Sequence, residues 1–451
     1  MSIESKNHKE IDDISLSVSE NVKPKLQFIK GKDNVPLNKP NEEMDWDQAT
    51  GKIRDNLGDA MNARYVTFLF GSGCSSFTQK GEELGIPTML TLAQEFANKI
   101  GKGRDLIFAN ATERKFLKTS LGIDVMENPY KENLESLMET LYASKLVFKN
   151  SIHERHKKPL DIVEKMIAKL QRYIFDKCTN GAFSKKDNAN TMVQSFYETF
   201  YRKLIYRDRL LPRPWVFTTN YDLFNETAMD RLGLPYTNGF SGTVERRFNP
   251  SVFRYALAEQ MDLLNRKWTA VDGFIYLGKL HGSVSWIEDH EGLFPIREVY
   301  KPNPNIDNLM IYPTPAKQAA SFGSPYSDIF REFQSHIVRE QSVLFVLGYR
   351  FADEHVNNII FQALTIPTFR LIIFSDPETK SIAKLRALCD PRIWIIGGNG
   401  LGSEGKAHYF NTFVEKFMPD PPGNRVETAV KNVLKNLIAD EVKSTGIHDD
   451  I

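Results

Sequence analysis

Apolar residues along this chain follow two rhythms. Short unbroken runs predict strands: Tyr65-Val66-Thr67-Phe68-Leu69-Phe70, Trp215-Val216-Phe217, Phe274-Ile275-Tyr276-Leu277, 309–312, Val343-Leu344-Phe345-Val346-Leu347, 370–374 and 393–396. Helical spacing between them predicts helices at 46–63, 326–339, 355–364, 409–417 and 427–442, and one capped by Thr91 that runs through Leu92, Phe96 and Ile100. From 101 to 206 the period is helical throughout, with Leu134, Leu137, Met138, Leu141 and Leu146, then Phe196, Phe200 and Leu204, marking apolar faces and no strand between them. Leu211-Pro212-Arg213-Pro214 closes that stretch. Between 237 and 260 a loop with Gly239, Gly242 and Arg246-Arg247 is expected to lead into a helix. Strands alternating with helices predict an α/β fold, a Rossmann-like doubly wound parallel sheet with an inserted helical module at about 101–210.

Residues 1–45 are rich in Ser, Asn, Lys, Glu and Asp and are expected to form a flexible N-terminal tail, because so few large apolar groups cannot offset the entropy of ordering. Residues 46–420 are expected to form the main α/β domain, and 421–451 a C-terminal helix with an acidic tail.

Lys plus Arg number 58 and Asp plus Glu 57, so the formal net charge is +1 and no overall field draws in nucleic acid or an anionic membrane. The short basic clusters His156-Lys157-Lys158 and Lys185-Lys186 read as solvated helix faces, and no direct nucleic-acid binding is expected. The three cysteines, Cys74, Cys178 and Cys389, lack the paired spacing of a disulfide framework or a zinc ribbon, which points to a reducing compartment and no structural zinc. No signal peptide and no run near the ~20 apolar residues of a membrane span is visible, so a cytoplasmic protein without a membrane partner is expected.

The candidate chemistry sits where strands end. Gly71-Ser72-Gly73-Cys74-Ser75 follows the first run, Thr218-Thr219-Asn220-Tyr221-Asp222 the second and His281-Gly282 the third. In an open parallel sheet such loops converge on one crevice. Gly71 and Gly73 allow a tight turn close to a pyrophosphate, to which Ser72 and Ser75 offer donors; an ordinary strand-to-helix turn uses the same residues. Asn220 can hold a ribose or a water, and Asp222 can orient an amide or face positive charge at an anomeric carbon; Asp222 is also placed to cap a helix. His281 can take a proton from a sugar hydroxyl or a water. In Gly348-Tyr349-Arg350-Phe351-Ala352-Asp353-Glu354-His355, Gly348 can admit a ribose and Asp353 can cap the next helix, while Ser375-Asp376 can meet an adenine-side ribose.

Together these pieces resemble the sirtuin superfamily, which carries a Gly-Ala-Gly-x-Ser turn, a Gly-Ile-Pro (here Gly85-Ile86-Pro87), a Thr-Gln-Asn-Ile-Asp and a His-Gly in this order. The two Cys-x-x-Cys pairs of the deacetylases are missing, and Thr88-Met89-Leu90 replaces their Asp-Phe-Arg. The chain is more similar to the sirtuin-like NAD hydrolases of prokaryotic antiphage defence, whose Gly-Tyr-x-Phe-x-Asp-x-His stretch matches Gly348 to His355. That resemblance implies Asn220, His281 and Asp222 as catalytic residues, with NAD⁺ as substrate and no zinc. It implies Gly71, Ser72, Gly73, Ser75, Thr219, Tyr221, Gly348, Asp353 and Ser375 as binding residues. It further implies a homo-oligomer regulated by a HerA-type hexameric ATPase, since after residue 415 no sensor or Argonaute-like domain is expected. A non-catalytic NAD or ADP-ribose sensor and an NAD-dependent protein deacylase are the alternative readings.

Overall fold

The computed structural model describes residues 26–38, 44–79, 82–102, 105–151, 157–179, 188–208, 210–262, 267–271, 273–288, 296–301, 308–310, 324–400 and 405–420. Its centre is a nine-stranded sheet made of β1 (Gln27–Lys30), β2 (Asp33–Asn34), β3 (Tyr65–Phe70), β4 (Trp215–Thr218), β5 (Tyr236–Thr237), β6 (Ile275–Lys279), β7 (Ser342–Leu347), β8 (Arg370–Phe374) and β9 (Ile393–Gly397). They lie in the order β2-β1-β9-β8-β7-β3-β4-β6-β5. Every neighbour from β9 to β5 pairs in parallel, and the β1–β2 hairpin closes one edge antiparallel. The chain leaves β3 on the β4 side and resumes at β7 on the other, so the order reverses between β3 and β7. Loops at the carboxyl ends diverge there and leave a crevice.

Successive strand side chains enter opposite faces, which is why unbroken apolar runs make these strands. Phe68, Phe70, Phe345 and Leu347 join one core with Ile53, Phe200 and Met229 from helices Trp46–Met61, Asn188–Leu204 and Phe224–Leu232. Leu69, Phe217, Leu344 and Val346 join the other with Phe333 and Ile360 from helices Tyr326–Ile337 and Glu354–Ala363. Helices therefore cover both faces.

Helices Met89–Asn98, Ala111–Leu121, Leu134–Lys149 and Lys157–Thr179 pack on one another through a third core that includes Phe96, Leu117, Leu141 and Leu170. Asn110 and Glu113 form a reciprocal capping box at the second of these helices. Leu223 and Val284 belong to the same core, so the module is anchored directly on the loop that follows β4 and on the strand Gly282–Glu288 that follows β6.

Several elements differ from expectation. The supposed tail contributes β1, whose Phe28 and Ile29 fill the two cores while its backbone pairs with β9 and covers that edge. A hairpin, Ser76–Gln79 with Glu82–Gly85, stands between the glycine turn and the next helix. That helix begins after Thr88, and Thr91 lies within it, its hydroxyl bonded to Glu83. Among the described residues no α-helix stands between Arg246-Arg247 and β6: Pro250–Arg254 is a 3₁₀ helix, and Ala258–Asp262 pairs with Lys267–Ala270. A second, antiparallel sheet was not foreseen; its strands run in the order Asn308–Met310, Gly282–Glu288, Ile296–Glu298, Arg246–Phe248, Phe240–Ser241. The helix expected at 427–442, and residues 1–25, lie outside the described residues.

Candidate active site

The crevice between β3 and β7 opens into a cavity of about 330 Å³. Ser72, Ser75, Thr219, Asn220, Tyr221, Asp222, His281, Gly348 and Asp353 all line it, so four loops far apart in sequence meet on one wall. The helical side supplies a second wall: the apolar Ile86, Pro87, Met89, Leu92, Leu134, Ile174 and Cys178, with the polar Glu132, Asn133 and Glu135 around the start of helix Leu134–Lys149. Burial pushes the Cys178 thiol well above its ordinary range, so it serves there as a neutral group. Arg350 is an exposed cation in the same lining.

Gly71 and Gly73 act through closeness rather than by lining the cavity. A Cβ on Gly71 would stand 2.5 Å from the Gly348 carbonyl oxygen, and one on Gly348, at φ +63°, would stand 2.5 Å from the Cys74 nitrogen. The two loops are stitched by Gly71 N–H to Leu347 O (2.9 Å) and Gly73 N–H to Gly348 O (3.0 Å). The N–H groups of Cys74 and Ser75 turn back on Gly71 and Ser72, each at 3.0 Å. The turn is thus braced internally, and Ser72 and Ser75 are its residues on the cavity. Ser375, at the end of β8, bonds through its N–H to Ile396 O (3.1 Å) and is not among the lining residues.

One network fixes the Asn-Tyr-Asp loop. The Asn220 amide Nδ2 donates to Gly71 O and to Ser75 Oγ, both at 3.0 Å. Ser75 Oγ in turn donates to Asp222 Oδ2 at 2.7 Å, with the Tyr197 hydroxyl 3.2 Å away. Asp222 Oδ1 accepts from Phe224 N at 3.1 Å; the N-cap of that helix is Leu223, so Asp222 steadies the helix start from one position before the cap while lining the cavity. Burial pushes the Asp222 carboxyl above its ordinary range, while the Lys279 ammonium and the Ser75 hydroxyl pull it back.

Lys279 was not singled out by the sequence reading, although a lysine ending a buried parallel strand is itself a signal. It is fully buried and donates to Glu226 Oε1 (3.0 Å), Ser283 Oγ (3.0 Å), Tyr221 O (3.3 Å) and Asp222 O. One ammonium therefore holds the backbone of the Asn-Tyr-Asp loop from below. His281 follows at the junction between the two sheets, where Gly282 at φ +88° turns the chain. Its Nε2 is 2.8 Å from Asp353 Oδ2.

Residues 214–387 match the family model described as the SIR2-like domain. A SIR2-like domain occupies this part of the chain. The presence of this domain points to NAD-related enzymatic activity. The SIR2-like segment includes Asn220, Asp222, His281, Gly348 and Asp353, whereas the glycine turn lies outside it; β3 carries that turn into the middle of the sheet, between β4 and β7. No curated protein matches the chain. Among the described residues, no group of three or more His, Cys, Asp or Glu side chains is placed to hold a metal ion, and no helix is long and apolar enough to cross a membrane.

Proposed function

We propose that the chain is an NAD⁺ hydrolase that cleaves the nicotinamide N-glycosidic bond to give nicotinamide and ADP-ribose. The observation that carries this reading is the meeting of Asn220, Asp222 and His281 on one wall of a cavity beside the glycine turn. Cleavage sends the bonding pair to the nicotinamide nitrogen and leaves positive charge on the ribose. Asn220 uses Nδ2 to hold Gly71 and Ser75, so its carboxamide oxygen is the atom that receives a ribose hydroxyl or the attacking water. His281 takes the proton that the water loses. Asp222 lies near the nicotinamide amide or the developing charge, with Lys279 favouring its ionised form. Ser72 and Arg350 meet the pyrophosphate, and the apolar side chains of the helical wall, Met89, Leu92 and Ile174 among them, exclude water around the nicotinamide ring.

The activity belongs to antiphage defence in the cytoplasm, where NAD⁺ depletion arrests the infected cell. A homo-oligomer under the control of a HerA-type hexameric ATPase is the form in which it acts. What supports this part is the likeness of Gly348 to His355 to the defence hydrolases.

The test is to incubate the purified protein with NAD⁺, alone and with that ATPase, and to quantify nicotinamide and ADP-ribose. Equimolar release of both, lost in Asn220→Ala, is expected. Equal release by wild type and variant contradicts the assignment, and release that requires an acetyl-lysine peptide replaces hydrolysis with deacylation.

A further inference from the structure

The His281–Asp353 contact joins residues 72 positions apart, on loops from strands that lie on opposite sides of β3. Both side chains are about nine-tenths buried, at 10% and 9% exposure. The two oxygens of Asp353 have separate tasks. Oδ1 accepts the N–H groups of His355 (2.9 Å) and Val356 (3.3 Å) and caps helix Glu354–Ala363, while Oδ2 faces the imidazole at 2.8 Å. The loop that delivers it is itself held: Asn357 Nδ2 donates to Phe351 O (2.9 Å), and the Tyr349 hydroxyl lies 3.0 Å from Asn357 Oδ1 and 3.2 Å from Asp353 O. Phe351 sits at φ +56°, a backbone conformation that a bulky residue adopts only under surrounding constraint.

We propose that Asp353 is the positioning residue of His281, holding the imidazole as the Nε2–H tautomer so that Nδ1 is the basic nitrogen. A carboxylate that caps a helix is favoured as an anion by the N–H groups aimed at it, and an ionised carboxylate only accepts hydrogen bonds. The hydrogen in the 2.8 Å contact therefore belongs to Nε2. Resting on the NAD⁺ hydrolase reading, the step is balanced as follows. The water oxygen bonds to the anomeric carbon, the carbon–nitrogen bond breaks with its electron pair going to nicotinamide, and the water proton passes to His281 Nδ1. The imidazolium so formed is paired with Asp353 until it returns the proton to solvent.

Two variants separate this role from capping, because Asn and Ser cap helices about as well as Asp. Asp353→Asn presents an amide to Nε2 and favours the opposite tautomer; Asp353→Ser removes the contact. Each is expected to stay folded, with a thermal midpoint close to wild type, and to lose roughly 10²-fold in kcat with KM little changed, the scale of a general base put out of place. Wild-type turnover in both variants overturns the proposal. The second readout needs no turnover. In protein labelled with ¹⁵N-histidine, the His281 signals, assigned by their loss in His281→Gln, are expected to report Nε2–H in wild type and a shift toward Nδ1–H in Asp353→Asn. An unchanged tautomer overturns the positioning role even if NAD⁺ is not the substrate, and absence of nicotinamide release with the expected tautomer shift overturns the hydrolase reading alone.

Discussion

The two walls of the cavity are built by different physics. The sheet wall is polar and is held by hydrogen bonds between loops: Asn220 to Gly71 and Ser75, Ser75 to Asp222, Lys279 to the carbonyls of Tyr221 and Asp222, His281 to Asp353. The helical wall is mainly apolar, Glu132, Asn133 and Glu135 apart, and is held by packing, its Leu92, Leu134 and Cys178 belonging to the third core. Directional bonds fix atoms to a few tenths of an ångström at little gain in stability, since a typical internal hydrogen bond nets only about 1 kcal/mol. Packing stabilises far more and positions less. Damage to the first wall should therefore appear in turnover, and damage to the second in stability.

The largest expected effects test the polar wall. His281→Ala and Asn220→Ala should each lower kcat by about 10²–10⁴-fold, while the urea midpoint moves little; a variant that instead unfolds would break the division. Next, Leu141→Ala, in the fully buried core of the helical module, should cost about 2–5 kcal/mol by urea titration, with kcat of the folded fraction unchanged.

These two walls also differed in how far the sequence revealed them. The longer strands of the parallel sheet were legible because burial on both faces writes an unbroken apolar run, and Arg370–Phe374 was read to the residue; β5, only two residues long, was not. The second sheet was not: Phe240–Ser241 and Arg246–Phe248 are too short to show a period, and Gly282–Glu288 carries serines that face buried polar partners. β1 was hidden because two apolar residues in a polar stretch look like a tail until β9 offers its edge. Asn220, Asp222 and His281 were legible from their places after strands. Their connections were not, because Ser75 lies 147 residues from Asp222 and Asp353 lies 72 from His281, and no local pattern encodes such pairings.

A third prediction sharpens the comparison by locating acid sensitivity away from both walls. Burial holds the His408 imidazole down at about 4 against an ordinary 6.5, with Asp376 opposing and Lys406 assisting. The unfolded chain then binds this proton more readily than the folded one, so stability falls as pH drops from about 6.5 toward 4, by at most roughly 3 kcal/mol. Urea titrations at pH 7 and 4.5 should show the loss, and His408→Gln should reduce it. The smallest effect belongs to the helical wall where it meets ligand. Met89→Ala should raise KM for NAD⁺ roughly fivefold, about 1 kcal/mol of lost apolar contact, and leave kcat alone; a fall in kcat would mean that this wall also positions.

The central claim is that the polar wall cleaves NAD⁺ rather than merely holding it. The most direct measurement compares ADP-ribose affinity with the rate of nicotinamide release in wild type, Asn220→Ala and His281→Ala. The account predicts similar affinity in all three and release slower by about 10²–10⁴-fold in the two variants. Undiminished release by either variant, or binding without release in wild type under every assembly tested, would contradict it.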